Sequence, residues 1–348
     1  MSNPPGGGMT NDNEITVGKR VRIHLSAMAA FMLIATGAGA QTIVSFDPTG
    51  STGTFPAAVN GKGAVTGYYF DANGVPHGFI RASNGSIVIF DPPGSTSTWP
   101  TGINNKGMVA GYYLASSGAE DGFVRDADGT ITTFDPPGST GTLTAGIDNA
   151  GSISGDYFDS NNVSHGFVRS PIGAITAFDP SGSILTYPDG MSADGAIAGW
   201  YEDGNAVHHG FVRSTTGTIT TFDPPSSATT RGACVNDLGL VSGRFIDSNH
   251  VNHGYIRAAD GSFTTFTVQG STYGMFDICI DQKYWISGDY ADANNVNHGF
   301  IRNRDGMITT FDPPGSIGTS VGNANANRQV AGEYEDSSGM SHGFLLTP

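Results

Sequence analysis

The sequence predicts an all-β protein, a seven-bladed β-propeller built from repeats of 44 residues, and three recurring markers carry this prediction. A Phe-Asp pair has its Phe at Phe46, Phe90, Phe134, Phe178, Phe222 and Phe311, and in the remaining copy Phe266 is followed by Thr267. A His-Gly-aromatic run starts at His77, His165, His209, His253, His298 and His342, with Asp121 in its place in the second copy. A glycine followed two residues later by Tyr or Phe stands at Gly67, Gly111, Gly155, Gly199, Gly243, Gly288 and Gly332. The markers recur in steps of 44 residues, with one step of 45, and define seven copies.

Each copy divides into four short segments, rich in β-branched and aromatic residues and bounded by turn-forming residues. In the second copy these segments are Pro100–Asn104, Met108–Tyr113, Gly122–Arg125 and Thr130–Phe134. We call them strands A to D. Four strands per repeat of this length are typical of a propeller blade. A β-solenoid is the alternative, but it would have shorter coils and fewer hairpin turns.

The N-terminal strand is predicted to complete the last blade. Residues Thr42–Phe46 match strand D, whereas the seventh copy ends after its C strand. If the two ends meet, this strand closes the ring and removes two open sheet edges. We therefore expect a propeller domain at residues 41–348, which deletion of Gln41–Asp47 would destabilise as a whole.

Residues 1–40 read as a leader with an export signal. Lys19, Arg20 and Arg22 precede an apolar run from Leu25 to Ala35, and small residues follow up to Ala40. This pattern predicts a signal peptide that is cleaved after Ala40. The apolar run is too short for a membrane span. We therefore expect an exported protein, extracellular or periplasmic, with no membrane span after cleavage.

Charge and composition limit the partners. The net charge is −15, and an acidic domain repels phosphate backbones, so we expect no nucleic-acid partner. The simplest role of the charge is solubility, and we expect a monomer.

Motifs for catalysis and metal binding are largely missing. No HExxH, CxxC or phosphate loop occurs, and the G-x-S-x-G match at Gly318–Gly322 is predicted between strands D and A. The six His of the second marker would be spread around the ring rather than converging on a metal. Turns such as those starting at Asp71, Asp159 and Asp292 lack the bidentate Glu of a calcium loop. We predict no catalytic residue, no metal site and no cofactor.

The repeat resembles a known family. Its runs GINNKGMVAGYY (from Gly102), HGFVR (from His165) and GTITTFDPPGS (from Gly129) are similar to those of the HAF-repeat family of extracellular bacterial proteins. The resemblance covers residues 41–348. It departs from the family in having Gly after the His, where the family has Ala, and in the FDPPGS run. It implies secretion and a repeat fold, and it implies no activity.

Residues shared by the copies are expected to form the scaffold. A large ring should pack between blades at Tyr69, Tyr113, Tyr157, Tyr201, Phe245, Tyr290 and Tyr334. The marker His and the Asp of the Phe-Asp pair should form a hydrogen bond that ties neighbouring loops. The Arg four residues after the marker position in the first six copies is expected to be a scaffold contact as well: Arg81, Arg125, Arg169, Arg213, Arg257 and Arg302.

The only two cysteines are candidates for a disulfide. Strand A should line the crowded axis, where a small residue recurs at Ala58, Gly102, Gly146, Gly190, Cys234, Cys279 and Asn323. Cys234 and Cys279 therefore occupy the same position in adjacent blades. Adjacent inner strands come close enough for a disulfide, and export provides an oxidising compartment.

Variable positions are the candidates for ligand binding. The residue after the marker glycine varies between blades but always faces the same side of strand B: Tyr68, Tyr112, Asp156, Trp200, Arg244, Asp289 and Glu333. Aromatic rings with carboxylates suit sugar binding, by stacking and hydrogen bonding. Ordinary variation between blades is the alternative.

The sixth copy adds a second group of candidates. Its run from Phe266 to Asp277 lacks the Asp-Pro-Pro of the other copies and has one extra residue. Thr267, Gln269 and Tyr273 lie in this predicted D–A loop, and Arg231 lies in the preceding, also irregular, one. D–A loops share one end of the ring with B–C turns, and loops often carry function. Drift of the sequence is the alternative.

Three functions fit these observations. The leading prediction is a non-catalytic binding or interaction module for an extracellular carbohydrate or an envelope protein. The alternative is a polysaccharide-active hydrolase or lyase that uses acids in the central funnel, such as Asp156 and Asp289. A purely structural surface protein is the third. The fold alone does not select among them.

Overall fold

The computed structural model describes residues 41–348, and the predicted export signal lies outside the described residues. Between residues 41 and 348 the structure contains 28 β-strands and no helix, arranged as seven antiparallel sheets of four strands. In blades 1 to 6 the four strands of each sheet follow one another along the chain and pair in that order. The predicted all-β, seven-bladed propeller is therefore confirmed.

The four strand positions have the same order in every blade. The innermost A strands are β2 (Gly53–Val59), β6 (Ser95–Ile103), β10 (Gly141–Ile147), β14 (Ser183–Met191), β18 (Ser227–Val235), β22 (Gly274–Ile280) and β26 (Ser316–Ala324). The B strands are β3 (Val65–Phe70), β7 (Val109–Ala115), β11 (Ile153–Phe158), β15 (Ile197–Asp203), β19 (Val241–Asp247), β23 (Ile286–Ala291) and β27 (Val330–Asp336). The C strands are β4 (Pro76–Arg81), β8 (Glu120–Arg125), β12 (Ser164–Arg169), β16 (His208–Arg213), β20 (Asn252–Arg257), β24 (Asn297–Arg302) and β28 (Ser341–Thr347). The D strands are β5 (Ile87–Phe90), β9 (Ile131–Phe134), β13 (Ile175–Phe178), β17 (Ile219–Phe222), β21 (Phe263–Phe266), β25 (Ile308–Phe311) and, for blade 7, β1 (Thr42–Phe46).

The N-terminal strand closes the ring as predicted. Strand β1 pairs antiparallel with β28, from Thr42 opposite Thr347 to Phe46 opposite Gly343. Directly after β1, Asp47 accepts a hydrogen bond from Thr54 of blade 1 at 2.6 Å and contacts His342 of blade 7 at 2.7 Å. The two ends of the described chain are thus joined by a sheet and by side chains.

The marker glycine is required by the pairing of strands A and B. A Cβ added at Gly67 would lie 2.1 Å from the carbonyl oxygen of Phe55, and one at Gly155 would lie 2.0 Å from that of Leu143. Each A strand has a register irregularity next to this point, such as that between Pro56 and Ala58. The bulge brings its carbonyl over the glycine, so any side chain there would collide with backbone.

Aromatic rings and arginines join neighbouring blades. The Phe of each D strand packs edge-on against the aromatic ring of the next blade's C strand, as Phe90 does against Phe123 at 5.9 Å. The arginine of that C strand lies over the same D-strand ring, with Arg125 5.1 Å from the centre of Phe90. The contact recurs for Arg81, Arg169, Arg213, Arg257 and Arg302. The predicted scaffold role of these arginines is confirmed.

The predicted His–Asp contact forms in five blades. His77 Nδ1 lies 2.7 Å from Asp91, and the equivalent pairs start at His165, His209, His298 and His342. The same Asp91 accepts a hydrogen bond from Thr98 of the next blade at 2.6 Å. One carboxylate therefore connects two blades. Blade 5 differs, because His253 faces Thr267 at 3.0 Å.

Candidate functional site

A cavity of about 900 Å³ lies on the axis of the ring and is lined mainly by blades 4 to 7. Its wall includes A and B strands and the B–C turn Asn295–Asn297, so it opens at the end of the ring that carries the B–C turns and D–A loops. The aromatic wall residues are Phe55, Trp200, Phe276 and Tyr334. The charged wall residues are Asp189, Arg231, Arg244, Asp277, Asp289, Glu333 and Glu335.

The predicted site residues divide between this cavity and other places. Trp200, Arg244, Asp289, Glu333 and Arg231 line the cavity. Tyr68, Tyr112 and Asp156 occupy the equivalent strand position but are not part of its wall, while Gln269 and Tyr273 are exposed on the D–A loop of blade 6. The placement of Arg231 in a loop was wrong. It lies within β18, because this A strand continues past a bulge to Ser227.

Each variable residue of strand B lies directly opposite a variable residue of strand A. The pairs are Phe55 with Tyr68, Trp99 with Tyr112, Leu143 with Asp156, Tyr187 with Trp200, Arg231 with Arg244, Phe276 with Asp289, and Ser320 with Glu333. Most of these A-strand residues were not predicted from the sequence as site residues. They were detectable as a second variable position, which pairs across the sheet with the first.

Aromatic pairs occupy this position in three blades. The rings stack with centroids 5.0 Å apart for Phe55 and Tyr68, 5.2 Å for Trp99 and Tyr112, and 4.3 Å for Tyr187 and Trp200. Burial, followed by the charge of Glu333, raises the pKa of Tyr68 to about 12. These phenol groups therefore stay protonated and remain hydrogen-bond donors at neutral pH.

The two cavity arginines are held by rings rather than by acids. The Arg231 guanidinium lies 4.4 Å from the centre of Trp200, and its Nε donates to His208 at 3.4 Å. The Arg244 guanidinium lies 4.9 Å from the centre of Phe276. Burial is the main cause that lowers the pKa of Arg244. Among the described residues neither arginine forms an ion pair with a carboxylate, so both guanidinium groups keep hydrogen-bonding capacity for a ligand.

Acids on the blade 6 and blade 7 side of the cavity have raised pKa values. Desolvation by burial raises the pKa of Asp289 to about 7, with a further contribution from Asp277. Desolvation, then the charges of Asp289 and Asp277, raises the pKa of Glu333 to about 8. The pKa of Asp277 is raised by burial as well. Near neutral pH this group of acids therefore contains both protonated donors and ionised acceptors.

Two more acids with raised pKa values, Asp156 and Asp189, lie in blades 3 and 4. Burial raises the pKa of Asp156 to about 7, although its carboxylate accepts a hydrogen bond from Ser164 at 3.1 Å. Asp189 is reached by water within the cavity but is surrounded by protein, and this desolvation raises its pKa well above the ordinary value. Asp189 was not predicted as a site residue, because blades 1, 3 and 5 have alanine at this position of strand A.

The irregular sixth copy contributes through Asp277. This residue has a φ of +48°, and it stands where blades 1, 2 and 4 have Pro56, Pro100 and Pro188. It belongs to the cavity wall, next to Phe276 and Ile278. The substitution of this position thus changes the inner strand itself and brings one more acid into the cavity, whereas the extra residue of this copy lies earlier, in the D–A loop before Met275.

The cysteines lie on adjacent inner strands beside the cavity. Cys234 of β18 and Cys279 of β22 have their Cα atoms 5.0 Å apart and are joined by a disulfide. This is the pairing that the shared strand position predicts. Within the described part of the chain, no group of His, Cys, Asp and Glu residues is arranged to hold a metal ion.

Comparisons with known proteins identify the fold class. No family model matches the sequence. No curated protein matches it either. Among solved structures, a streptogramin B lyase superposes with a TM-score of 0.61 at 15% identity, covering 88% of this chain and 98% of the lyase. The β-propeller domain of the Trilobed protease from Pyrococcus furiosus gives a TM-score of 0.60 at 11% identity, covering 84% of this chain and 95% of that one.

A third structure has another kind of activity. The BP39L lectin from Burkholderia pseudomallei superposes with a TM-score of 0.56 at 10% identity, covering 86% of this chain and 98% of the lectin. At such identities the similarity shows the β-propeller fold alone, and the three proteins have different functions. No helix in residues 41–348 is long and apolar enough to cross a membrane.

Proposed function

We propose that this protein is a non-catalytic binding module whose central cavity holds a carbohydrate. The observation that carries the proposal is the presence in the cavity of acids and arginines that, among the described residues, form no ion pair with one another. Asp277, Asp289 and Glu333 lie in blades 6 and 7, while Arg231 and Arg244 rest on the rings of Trp200 and Phe276. In the described structure none of these groups neutralises another through an ion pair, so the cavity keeps donors and acceptors for a ligand.

Hydroxyl-rich ligands use this combination well. A sugar presents many hydroxyl groups, each of which donates and accepts, together with apolar C–H faces. Guanidinium groups and protonated carboxyl groups supply donors, ionised carboxylates supply acceptors, and Phe55 and Phe276 supply apolar wall. A few polar groups in a largely preformed concave site are the usual basis of specificity.

The location of the protein outside the cytoplasm and its relation to the HAF-repeat family belong to the same proposal. The leader sequence supports export to the cell exterior or the periplasm, where extracellular glycans occur. The resemblance to HAF repeats supports the same location. An envelope protein is the other partner that we considered, but the cavity is concave and suits a small or chain-like ligand better than a protein surface.

A second candidate is a polysaccharide-active enzyme. The observation that favours it is the pKa of Asp289 and of Glu333, raised by burial to about 7 and about 8. Carboxyl groups that titrate near neutral pH can act as general acids or bases. A hydrolase would need two such groups that flank the scissile bond.

A glycan-array screen followed by calorimetry on the best ligand tests both candidates. For the binding module we expect saturable binding without product, and at least a tenfold loss of affinity in Glu333→Gln and in Asp289→Asn. Affinity for a neutral glycan should fall as pH rises from 6 to 9, because both acids lose the proton that they donate. The exposed Asp305→Asn serves as a charge-matched control and should bind like the parent.

The outcomes separate the candidates. Product that forms in the parent and disappears in Asp289→Asn or Asp156→Asn would establish the enzyme instead. Binding to no glycan on the array, or equal loss in the Asp305→Asn control, would contradict the carbohydrate proposal.

A further inference from the structure

The lysines of the propeller are concentrated at one end of the ring. Residues 41–348 contain only three lysines, in a chain with a net charge of −15. Lys62, Lys106 and Lys283 occupy the same position of the A–B turn in blades 1, 2 and 6, and Arg328 occupies the next position in blade 7. Blades 6, 7, 1 and 2 are consecutive around the ring, and all four side chains are exposed. We call these four residues the basic arc.

The rest of the same ring of turns has a different character. The position of the three lysines is Ala150 in blade 3, Asp194 in blade 4 and Leu238 in blade 5, where Asp237 precedes it. Asp281, in the turn of Lys283, is buried and accepts hydrogen bonds from the backbone of its own turn. The positive charge is therefore local and covers about half of the ring.

Hydrogen bonds between turns hold part of the arc in place. The Asn325 side chain donates to the carbonyl of Asn60 at 2.7 Å, and the Asn60 side chain donates to the carbonyl of Asn104 at 2.9 Å. Asn327 also donates to the carbonyl of Gly61 at 2.8 Å. The turns of blades 7, 1 and 2 thus form a connected rim, which presents its cations at repeating positions.

In blades 6 and 7, the A–B turns of the basic arc contain a residue with a strained backbone conformation. The fourth turn position is a glycine with positive φ in five blades, but it is Tyr284 at φ +67° in blade 6 and Arg328 at φ +63° in blade 7. Large side chains in this left-handed conformation are strained, and such strain often accompanies function. Tyr284 is 45% exposed, and the Arg328 guanidinium lies 5.0 Å from the centre of Trp285. The strained positions therefore add an exposed ring and a cation to the arc.

We propose that the basic arc binds an acidic polysaccharide. The cations lie on equivalent turns and therefore repeat around the rim, and the anionic groups of a charged polysaccharide repeat along its chain in a comparable way. The exposed ring of Tyr284 can in addition stack on the face of a sugar. Lysines supply point charges, as expected for contact with separate carboxylate or sulfate groups. The A–B turns lie at the opposite end of the A strands from the D–A loops and do not line the central cavity. This site is therefore separate from the proposed carbohydrate site.

Binding of a defined oligogalacturonate to the purified protein tests the proposal, with calorimetry at low and at physiological salt. We expect binding that weakens as salt increases, since opposite charges at a surface are screened. The triple variant Lys62→Gln, Lys106→Gln, Lys283→Gln should lose at least tenfold in affinity with an unchanged melting temperature. Tyr284→Gly should bind more weakly yet melt higher, because glycine relieves the strain.

Matched controls decide the result. Arg304→Gln removes an exposed cation from a C–D turn at the same end of the ring, and its affinity should change by less than twofold, whereas Lys106→Gln alone should lose more. Glu333→Gln in the central cavity should leave oligogalacturonate binding intact. Lack of oligogalacturonate binding, an equal loss in Arg304→Gln, or binding to phosphatidylglycerol vesicles in place of the oligosaccharide would overturn the proposal.

Discussion

Different interactions hold together two junctions of the ring, the one between blades 1 and 2 and the one between blades 5 and 6. In the first, Asp91 contacts His77 of its own blade at 2.7 Å and accepts a hydrogen bond from Thr98 of the next blade at 2.6 Å. In the second, Thr267 and Met275 stand in the places of Asp91 and Thr98, and this polar link is lost. The Cys234–Cys279 disulfide joins the two blades instead.

The irregular junction between blades 5 and 6 also lies beside several charged and aromatic residues of the cavity wall. The same copy that lost the Asp-Thr link places Phe276, Asp277 and Asp289 in the cavity wall, and Cys234 and Cys279 lie beside them. Departure from the repeat therefore removes a scaffold contact and adds potential ligand contacts in one region. A covalent bond can hold the inner strands together there without any help from the loop above.

Removal of the closing strand should have the largest effect on stability. Deleting Gln41–Asp47 leaves β28 without its partner and removes Phe46 from its contact with Phe79. Loss of a fully buried Phe costs about 3–5 kcal/mol. Phe46 is half-buried, but the deletion also removes the whole pairing of β1 with β28, so we expect a destabilisation of at least that size in thermal or urea unfolding. Deletion of Gln41 alone is the control and should be neutral. A melting temperature equal to that of the parent would disprove closure by β1.

Loss of the disulfide should have the next largest effect. Cys234→Ala with Cys279→Ala should cost about 4 kcal/mol, as expected for a closed loop of this length, which here spans 45 residues. Alanine fits the position, because Ala58 occupies it in blade 1. Urea unfolding of the parent with and without reductant provides the control. Two free thiols on intact-mass analysis after non-reducing alkylation would contradict the bond.

A matched pair of substitutions compares the two junctions directly. Asp91→Ala leaves the fully buried Thr98 hydroxyl without its acceptor and should cost about 1–3 kcal/mol. Thr267→Ala removes only a contact with His253 and should cost less. Urea denaturation of both variants beside the parent measures the difference. If Thr267→Ala were as costly as Asp91→Ala, the two junctions would not differ as described.

The smallest effect concerns pH at the closing blade. Burial alone would lower the pKa of His342, but hydrogen bonds and charges from Asp47 and Asp336 outweigh it and raise this pKa. A raised pKa in the folded state means that His342 stabilises the ring below its unfolded pKa of about 6.5. This contribution is lost as pH rises through the folded value.

Melting curves from pH 5.5 to 8.5 check this linkage. The stability difference between the parent and His342→Gln should shrink as pH increases, and it should be largely absent when both proteins also carry Asp47→Asn. A difference that stays constant or grows with pH would contradict the linkage.

The repeat made most of the fold predictable, because one sequence pattern occurs seven times and each copy indicates the same four-stranded blade. The markers at Gly67, His77 and Phe90 located three of the four strands, and the displaced strand Thr42–Phe46 predicted closure. The start of strand A was less visible. Its first residues, such as Ser95–Thr98, are Ser and Thr beside a Pro-Pro-Gly turn, and they resemble a loop in sequence although they pair across a bulge.

The site was only partly predictable for the same reason. Strand alternation placed Trp200, Arg244, Asp289 and Glu333 on one face, and all four line the cavity. It could not show that the axial cavity extends outward mainly along blades 4 to 7, which leaves Tyr68 and Tyr112 out of its wall. Asp189 and Asp277 depend on bulges of the inner strand, whose geometry is set by contacts between blades rather than by local sequence.

Closure by β1 also has a consequence for the order of folding. The same His–Asp contact spans 14 residues in blade 1, from His77 to Asp91, but 295 residues in blade 7, from Asp47 to His342. Chain closure becomes costlier by about 0.6 kcal/mol for each doubling of length, so the long contact carries an entropic cost roughly 3 kcal/mol higher. Blades 1 to 6 can form from strands that are neighbours in sequence, whereas blade 7 waits for β28. We therefore expect ring closure to be the last step of folding, and a chain that ends before Ser341 to form blades without ever forming the ring.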